Sequence, residues 1–304
     1  MHFLAVLNRN GGALATMDLD ALADHIAAEF AAAGHTVEIR VVSGAEIPAA
    51  LEAAAGAHQA EAVLAGGGDG TISAFAGRLM DSGKALAILP AGTMNLFARS
   101  LGIPLEPYAA VSALAAGRRR RVDIASANGH PFVHQYSLGM HPELIDVRSR
   151  MHFETKLGKL RATARAALEI VWRPPRLRLA LALDGGARRT VSVAGLAVTN
   201  NPYGEGHLPY TDTPDGGVLG VYVTRARRRR DVLRFFLNMA LGRWRANDQV
   251  EMHEAKAVHV AVLSPRRRFK CAIDGELKPL DGETHVKIHA GALEVVVPAD
   301  GAET

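Results

Sequence analysis

The sequence predicts two domains: an α/β half built on a parallel sheet, followed by a mostly antiparallel β half of sandwich type. Three observations predict this. The chain has 304 residues, more than one typical domain holds. Strand-like and helix-like segments alternate through its first hundred residues. After about Val122, short strands separated by Asp-Gly turns take over.

The elements run in this order. Phe3–Leu7 is an apolar run ending at Asn8-Arg9-Asn10-Gly11-Gly12, a buried strand and its loop. Leu19, Leu22, Ile26 and Phe30 recur at helical spacing, and Gly34 stands where a helix stops. Thr36–Val42 alternates as a strand does. Ala62–Ala65 is a buried strand running into glycines, with a helix over Ile72–Met80. Ala85–Leu89 is another buried strand, closed by Pro90, and Thr93–Leu101 is helical. In the second half, Leu177–Leu183, Val191–Val198, Val218–Val223, Val258–Leu263, Phe269–Ile273, Val286–Ile288 and Leu293–Val297 read as strands. Helices interrupt them near Lys156–Trp172 and Asp231–Trp244. The expected domains are 1–122 and 123–289, with the tail 290–304 returning to the first.

Composition narrows the function. With 48% hydrophobic residues the chain can build a core and is not disordered. One cysteine, Cys271, excludes an internal disulfide framework and fits a reducing cytoplasm. Cys271 alternates with Phe269 and Ile273 and reads as core rather than nucleophile. The N-terminus shows no basic segment or cleavage signal, and no apolar run is long enough to span a bilayer. Aromatic residues are only 5%, which argues against a nucleic-acid partner. Arginines cluster at Arg118–Arg121, at Arg225 with Arg227–Arg230, and at Arg266–Arg268. They are either phosphate-facing groups or solvated loops. Of the histidines, His130, His134, His141 and His152 are scattered without metal spacing and read as structural or exposed.

The most informative segment is Gly66-Gly67-Gly68-Asp69-Gly70-Thr71 between a buried strand and a helix. Glycine lets the backbone approach phosphate, and the helix start offers N–H groups and a positive dipole end. Thr71 adds a hydroxyl. Asp69 is an acceptor among donors, suited to a Mg²⁺ water shell or a hydroxyl proton. A tight turn without ligand is the alternative reading of the glycines. No G-x-x-x-x-G-K-[ST] or G-x-G-x-x-G motif is present. A second Gly-Thr turn follows in Leu89-Pro90-Ala91-Gly92-Thr93-Met94-Asn95, and two such turns on parallel strands would face one crevice.

Together, GGGDGT and LPAGTMNLFARSLGIP resemble the diacylglycerol kinase catalytic family, which includes bacterial lipid kinases and sphingosine kinases. Arg121-Val122-Asp123, Thr199-Asn200-Asn201, Pro214-Asp215-Gly216 and Asp274-Gly275-Glu276 continue the match across the chain. The GGDGT element is shared with NAD kinases, and the resemblance implies a fold of the NAD kinase and diacylglycerol kinase type. It further implies an ATP- and Mg²⁺-dependent lipid kinase with a nucleotide crevice between the two domains. The nucleotide would contact Asn8, Arg9, Asn10, Gly11, Gly12, Ser43, Gly67, Gly68, Asp69, Gly70, Thr71, Ile72, Ser73 and Thr93. Asp69, Asp274 and Glu276 would be catalytic. A structural Mg²⁺ would sit near Asp212, Asp215 and Gly217, with some carbonyl ligands.

Two departures stand out. Ser73-Ala74 replaces a common Asn-Glu, and Leu96 replaces the Asp of a common Asn-Asp. The second removes a carboxylate that could help order Mg²⁺. Either Asp69, Asp123 and Glu276 suffice, or substrate or activity has drifted.

Asp274-Gly275 read by itself is a hairpin turn, and only the resemblance makes it a catalytic carboxylate. Leu233, Phe236, Leu237, Ala240, Leu241 and Trp244 share one helical face flanked by arginines. That face suits either an anionic membrane surface or the core of the β half. The expectation is a cytoplasmic enzyme of phospholipid metabolism, peripherally bound at the inner membrane face, with a homodimer left open. The alternatives are a NAD kinase and a homologue that binds nucleotide or lipid without catalysis.

Overall fold

The structure is a computed structural model and describes residues 1–150, 165, 167–204, 209–225, 228–241, 247–264 and 269–299. Most of the expected helix at Lys156–Trp172 lies outside these residues. So do His152, Arg227, Arg243, Trp244, Arg245 and Arg266–Arg268. The chain divides into two compact units. The first comprises Met1–Ile124, Tyr210–Gly217 and the C-terminal segment from His289; the second comprises Ala125–Pro209 and Val218–Ile288.

The first unit is a parallel sheet with helices. Its elements are β1 (His2–Asn8), α1 (Leu19–Ala32), β2 (Thr36–Val42), α2 (Ile47–Gly56), β3 (Ala62–Gly67), α3 (Asp69–Leu79), β4 (Ala85–Pro90), α4 (Leu96–Ser100), α5 (Pro107–Ala115) and β5, which starts at Arg118. Strands β3 and β4 are buried along their whole length, as continuous apolar runs should be when both faces are covered. Asp18 caps α1 by accepting the Asp20 and Ala21 N–H groups at 3.1 Å. Leu22, Ile26 and Phe30 are the buried stripe of α1, and Phe30 meets Phe3 of β1 edge to face.

The spatial order is β2-β1-β3-β4, all parallel. The chain steps from β1 to β2 in one direction, then crosses back to β3 and β4 in the other. With right-handed crossovers, α1 covers one face while α2 and α3 cover the opposite one. The reversal between β1 and β3 opens a crevice at their carboxyl ends.

The second unit contains two antiparallel layers. Its elements, after the end of β5 (Arg118–Ala127), are β6 (His130–Phe132), β7 (Gln135–Gly139), α6 (Met140–Ser149), β8 (Leu177–Leu183), β9 (Arg189–Val193), β10 (Gly195–Asn200), β11 (Leu219–Thr224), α7 (Arg229–Ala240), β12 (Val250–Ala255), β13 (Ala257–Val262), β14 (Lys270–Ile273), β15 (Glu276–Pro279) and β16 (Glu283–Val297). One layer runs β12-β11-β10-β7-β14-β15. In the other, β13 pairs with β8 and with the first half of β16, and β9 pairs with β8. Leu138, Val198, Val221 and Cys271 from the first layer share one core with Leu179, Val260 and Val286 from the second. The expected sandwich is therefore present, and Cys271 is a core residue.

Several expected boundaries move. Val191–Val198 is two strands, because at Ala194 the chain leaves β8 and turns to β7 and β11. Val286–Ile288 and Leu293–Val297 are one strand running through Gly291 at φ 62°. The helix expected from Thr93 starts only at Leu96, since Asn95 adopts φ 48° with its side chain folded back on Gly92. The last residues of β16 return to the first unit, where Glu294 and Val295 lie parallel to Ala85 and Leu86 of β4.

The segment Tyr210–Gly217 belongs to the first unit, and Asp123 holds it there. The buried Asp123 carboxylate accepts the Gly217 N–H at 2.6 Å and the Gly291 N–H at 2.9 Å, while its own N–H donates to the Pro214 carbonyl. Charge-assisted bonds of this kind contribute about 1.5–3 kcal/mol each. Asp123→Ala should therefore lower the stability of the first unit by about 2–5 kcal/mol, read as an earlier urea unfolding transition. An unchanged transition would show that the loop needs no such anchor.

Candidate active site

The loops after β1, β3 and β4 meet at the carboxyl ends of those strands. Backbone touches backbone there. Gly12 adopts φ 41°, and a Cβ on it would overlap the Ala91 carbonyl oxygen. A Cβ on Gly92 would stand 3.0 Å from the Gly68 Cα and 3.1 Å from an Asp69 carboxylate oxygen. Hydrogen bonds tie the same loops: Ala13 N–H to the Ala91 carbonyl at 2.8 Å, and Ala91 N–H to the Gly67 carbonyl at 3.0 Å.

Asp69 links the two Gly-Thr turns. One oxygen accepts the Leu96 N–H at 2.8 Å and the other accepts the Asn95 N–H at 3.1 Å. The carboxylate thus joins the first turn of α3 to that of α4. An ionised carboxylate offers about four lone-pair directions, so these bonds leave acceptor capacity on Asp69. Leu96, which lacks the carboxylate common at this position, takes part through its backbone.

Asn8 orients the loop after β1. Its Oδ1 accepts the Asn10 N–H at 3.0 Å, and its Nδ2 donates to Thr71 Oγ1 at 3.3 Å. The backbone donor fixes the amide orientation, and the Thr71 hydroxyl proton is left to donate elsewhere. Asn10 accepts the Gly44 N–H, and Ser43 N–H donates to Glu46. Arg9 folds against β2, donating to the Val41 carbonyl at 3.2 Å. Gly68 is the N-cap of α3, and no side chain caps that end. Ile72 is buried beneath the first turn, Ser73 is half-buried, and Thr93 is exposed on the second turn. The structure thus gathers the residues from Asn8 to Gly12, Ser43, and those from Gly67 to Ser73 and Thr93 at one edge of the parallel sheet.

Asp274 and Glu276 lie in the second unit. Asp274 and Gly275 form the two-residue turn between β14 and β15, with φ 45° and 83°. The Asp274 carboxylate sits in a nest of three successive amides, accepting from Val133, His134 and Gln135 at 2.9 Å each. Glu276 is exposed, with Lys278 at 3.0 Å. Beside the nest is a polar network that the sequence did not reveal. Tyr203 donates to Gln135 at 2.7 Å, and Ser137 and Gln135 contact His141 at 2.8 and 3.3 Å. Burial, helped by the nearby His134, lowers His141 to about 4.

Asp212 and Asp215 lie in the loop held by Asp123. Asp215 pairs with Arg120 at 2.7 Å. Carboxylate and carbonyl oxygens suit Mg²⁺, so the donor chemistry here fits the implied ion, but Asp123 is committed to backbone amides. The Arg118–Arg121 cluster proves structural in large part: Arg119 pairs with Glu294 and donates to the Gly83 carbonyl, and Arg121 lies 3.4 Å from Glu294.

The first unit is a doubly wound sheet with a glycine-built turn pair at the carboxyl ends of β3 and β4, and an antiparallel sandwich forms the second. Family comparison makes this specific. Residues 2–127 match the diacylglycerol kinase catalytic domain, and residues 138–297 match the YegS C-terminal NAD kinase beta sandwich-like domain. The chain belongs to this family of kinases. It is 29% identical over 263 residues to a diacylglycerol kinase of Bacillus subtilis, covering 84% of this chain and 83% of that one. It is 40% identical over 114 residues to a probable lipid kinase YegS-like of Chromohalobacter salexigens, covering 35% and 36%. An uncharacterized Synechocystis protein is 24% identical over 252 residues, covering 79% of this chain; the chain spans 55% of that relative's length. A crystal structure described as a diacylglycerol kinase from Bacillus anthracis superposes with a TM-score of 0.68 at 17% identity, covering 99% and 98% of the two chains. That likeness carries the fold.

Two predictions follow from the site's electrostatics. His141 is held neutral in the folded chain, with its pKa moved from 6.5 to about 4, so the unfolded chain binds the extra proton in that window. Its contribution to stability is present above pH 6.5 and is lost as pH falls toward 4. A His141→Gln variant should show a shallower fall of melting temperature across this window. Parallel slopes would mean that His141 is not held neutral.

For the loop metal, Asp215→Asn should lower the melting temperature more in Mg²⁺ than in chelator. Equal losses in both buffers would assign Asp215 to its Arg120 pair alone, an exposed contact contributing about 0–1 kcal/mol.

Proposed function

We propose that this chain is a lipid kinase that moves the γ-phosphate of ATP to the hydroxyl of a membrane lipid. The observation that carries the reading is the Asp69-linked pair of Gly-Thr turns at the carboxyl ends of β3 and β4, in a chain of the diacylglycerol kinase catalytic family. The amide groups at the start of α3, an eleven-residue helix, provide N–H donors and a positive dipole end for phosphate oxygens. Thr71 donates its hydroxyl, and Asn8 holds that hydroxyl in place. Phosphoryl transfer asks chiefly for positioning and charge stabilisation, and a preformed cradle supplies both. Mg²⁺, when bound with the nucleotide, would neutralise the β- and γ-oxygens, with the remaining lone pairs of Asp69 meeting its water shell. Of the two carboxylates in the second unit, Glu276 is exposed beside Lys278, whereas the Asp274 oxygens bind three amides.

A lipid acceptor requires a docking face, and α7 supports one. Val232, Phe235 and Phe236 turn inward against Met140 and Ile170. Leu233, Leu237 and Leu241, at i, i+4 and i+8, are 46–60% exposed. Leu168 and Trp172 are exposed as well, and Arg229 stacks over Trp172 at 4.7 Å. One side of the helix thus packs inward, and the exposed leucine row on the other side is the candidate docking face. No helix among the described residues is long and apolar enough to cross a membrane, so contact would be interfacial.

The test is incubation with labelled ATP, Mg²⁺ and a panel of lipid alcohols in mixed micelles and in anionic vesicles. A labelled lipid product supports the reading. NADP formation from NAD, or nucleotide binding without turnover on any lipid, overturns it. The variant Leu233→Ser with Leu237→Ser and Arg230→Glu should lose vesicle binding and most activity on vesicle-borne lipid, yet keep activity on a short-chain soluble analogue. An equal fall on both substrates would assign the face to folding instead.

A further inference from the structure

His259, Glu283 and His285 stand together on the outer face of the second unit, away from every residue assigned above. We propose that they form a binding site for a divalent transition-metal ion, with Zn²⁺ as the representative. His259 lies on β13 directly opposite His285 of β16 in the antiparallel register, and Glu283 shares the face of His285 two residues earlier. The inward neighbours Val258, Val260, Thr284 and Val286 are buried, so the three side chains project on the opposite side.

The geometry is close to that of a ligand set. One donor atom from each residue lies within 4.8 Å of the other two. His259 Nε2 stands 3.3 Å from Glu283 Oε2, and the two imidazole centroids are 4.4 Å apart. Tetrahedral ligands at about 2.0–2.1 Å from Zn²⁺ stand about 3.3 Å from one another, so the His259–Glu283 pair already has that spacing. His285 is exposed and needs only a rotamer adjustment to complete the set.

The scaffold is preorganised. Asn128 donates from Nδ2 to the Glu283 carbonyl at 3.0 Å and accepts the His285 N–H on Oδ1 at 2.8 Å; its own N–H donates to the His285 carbonyl. Both ligands on β16 are thus fixed at the backbone by one residue. The His259 side chain is only 13% exposed, so its Nε2 is held facing Glu283 rather than free in solvent. Arg188 lies 3.9 Å from the other Glu283 oxygen and leaves Oε2 facing the histidines.

Two imidazoles and one carboxylate select zinc, copper, nickel or iron over Mg²⁺, which prefers oxygen and water. Three protein ligands leave one position for water. An ion here cross-links β13 to β16 and stabilises that strand pair.

The experiment uses the full chain without an affinity tag, stripped with chelator, with Mg²⁺ present in excess. Calorimetric titration with Zn²⁺ should show one high-affinity site and a raised melting temperature. His285→Ala and His259→Asn should each weaken that site by at least about tenfold. Co²⁺ should give the intense visible bands of a low-coordinate site in the parent chain and lose them in His285→Ala. His285 is exposed, so this variant should melt with the parent in the absence of metal, which separates ligand loss from misfolding. Zn²⁺ affinity equal in parent and His285→Ala, or no Zn²⁺-dependent melting shift, would overturn the proposal and leave a His259–Glu283 hydrogen bond beside a tilted second imidazole.

Discussion

The close approach of three backbone turns at the carboxyl ends of β1, β3 and β4 is the constraint on which the rest of the first unit depends. Gly12 packs on the Ala91 carbonyl, and Gly92 packs on Gly68 and Asp69. No side chain fits at these contacts. The buried strands bring the turns together because Val63, Leu64, Ile88 and Leu89 must all leave water. The glycines let them finish the approach, and the Asp69 bonds fix the distance. The N-cap of α3 is Gly68, so no capping side chain bonds its first amides.

Carboxylates do much of the anchoring in this chain. Asp69 joins two turns, Asp123 fastens a returning loop, and Asp274 fills a nest of three amides. Each satisfies backbone N–H groups that would otherwise be costly to bury. Asp69 and Asp274 spend acceptor capacity on backbone amides, whereas Glu276 is exposed beside Lys278.

Much of this was legible in the sequence, for physical reasons. Continuous apolar runs such as Ala62–Ala65 and Ala85–Leu89 can only be buried strands, and glycines after them mark turns where backbones meet. The hidden parts depend on tertiary context. The strand beginning Arg118-Arg119-Arg120-Arg121 looks like a charged loop, because its pairing partners Glu294 and Asp215 are distant in sequence. The late start of α4 follows from the folded-back Asn95 side chain, which no periodicity announces. The division of α7 into an inward face of Val232, Phe235 and Phe236 and an outward leucine row was ambiguous because apolar residues occupy both sides, and periodicity does not say which side is covered. His259 and His285 are 26 residues apart and meet only through strand register.

The most direct measurement of the central claim is the affinity of ATP with Mg²⁺ for Gly92→Ala compared with the parent chain, by equilibrium titration. The added methyl would stand 2.8 Å from Asn95 Oδ1, 3.0 Å from the Gly68 Cα and 3.1 Å from an Asp69 oxygen, so it disturbs both the folded-back Asn95 side chain and the contact between the turns. The account predicts that ATP affinity falls by more than about tenfold, a loss of over about 1.4 kcal/mol, while the chain still folds as judged by its melting transition. An unchanged ATP affinity in the folded variant would contradict it, because the cradle would then not depend on the contact between the turns.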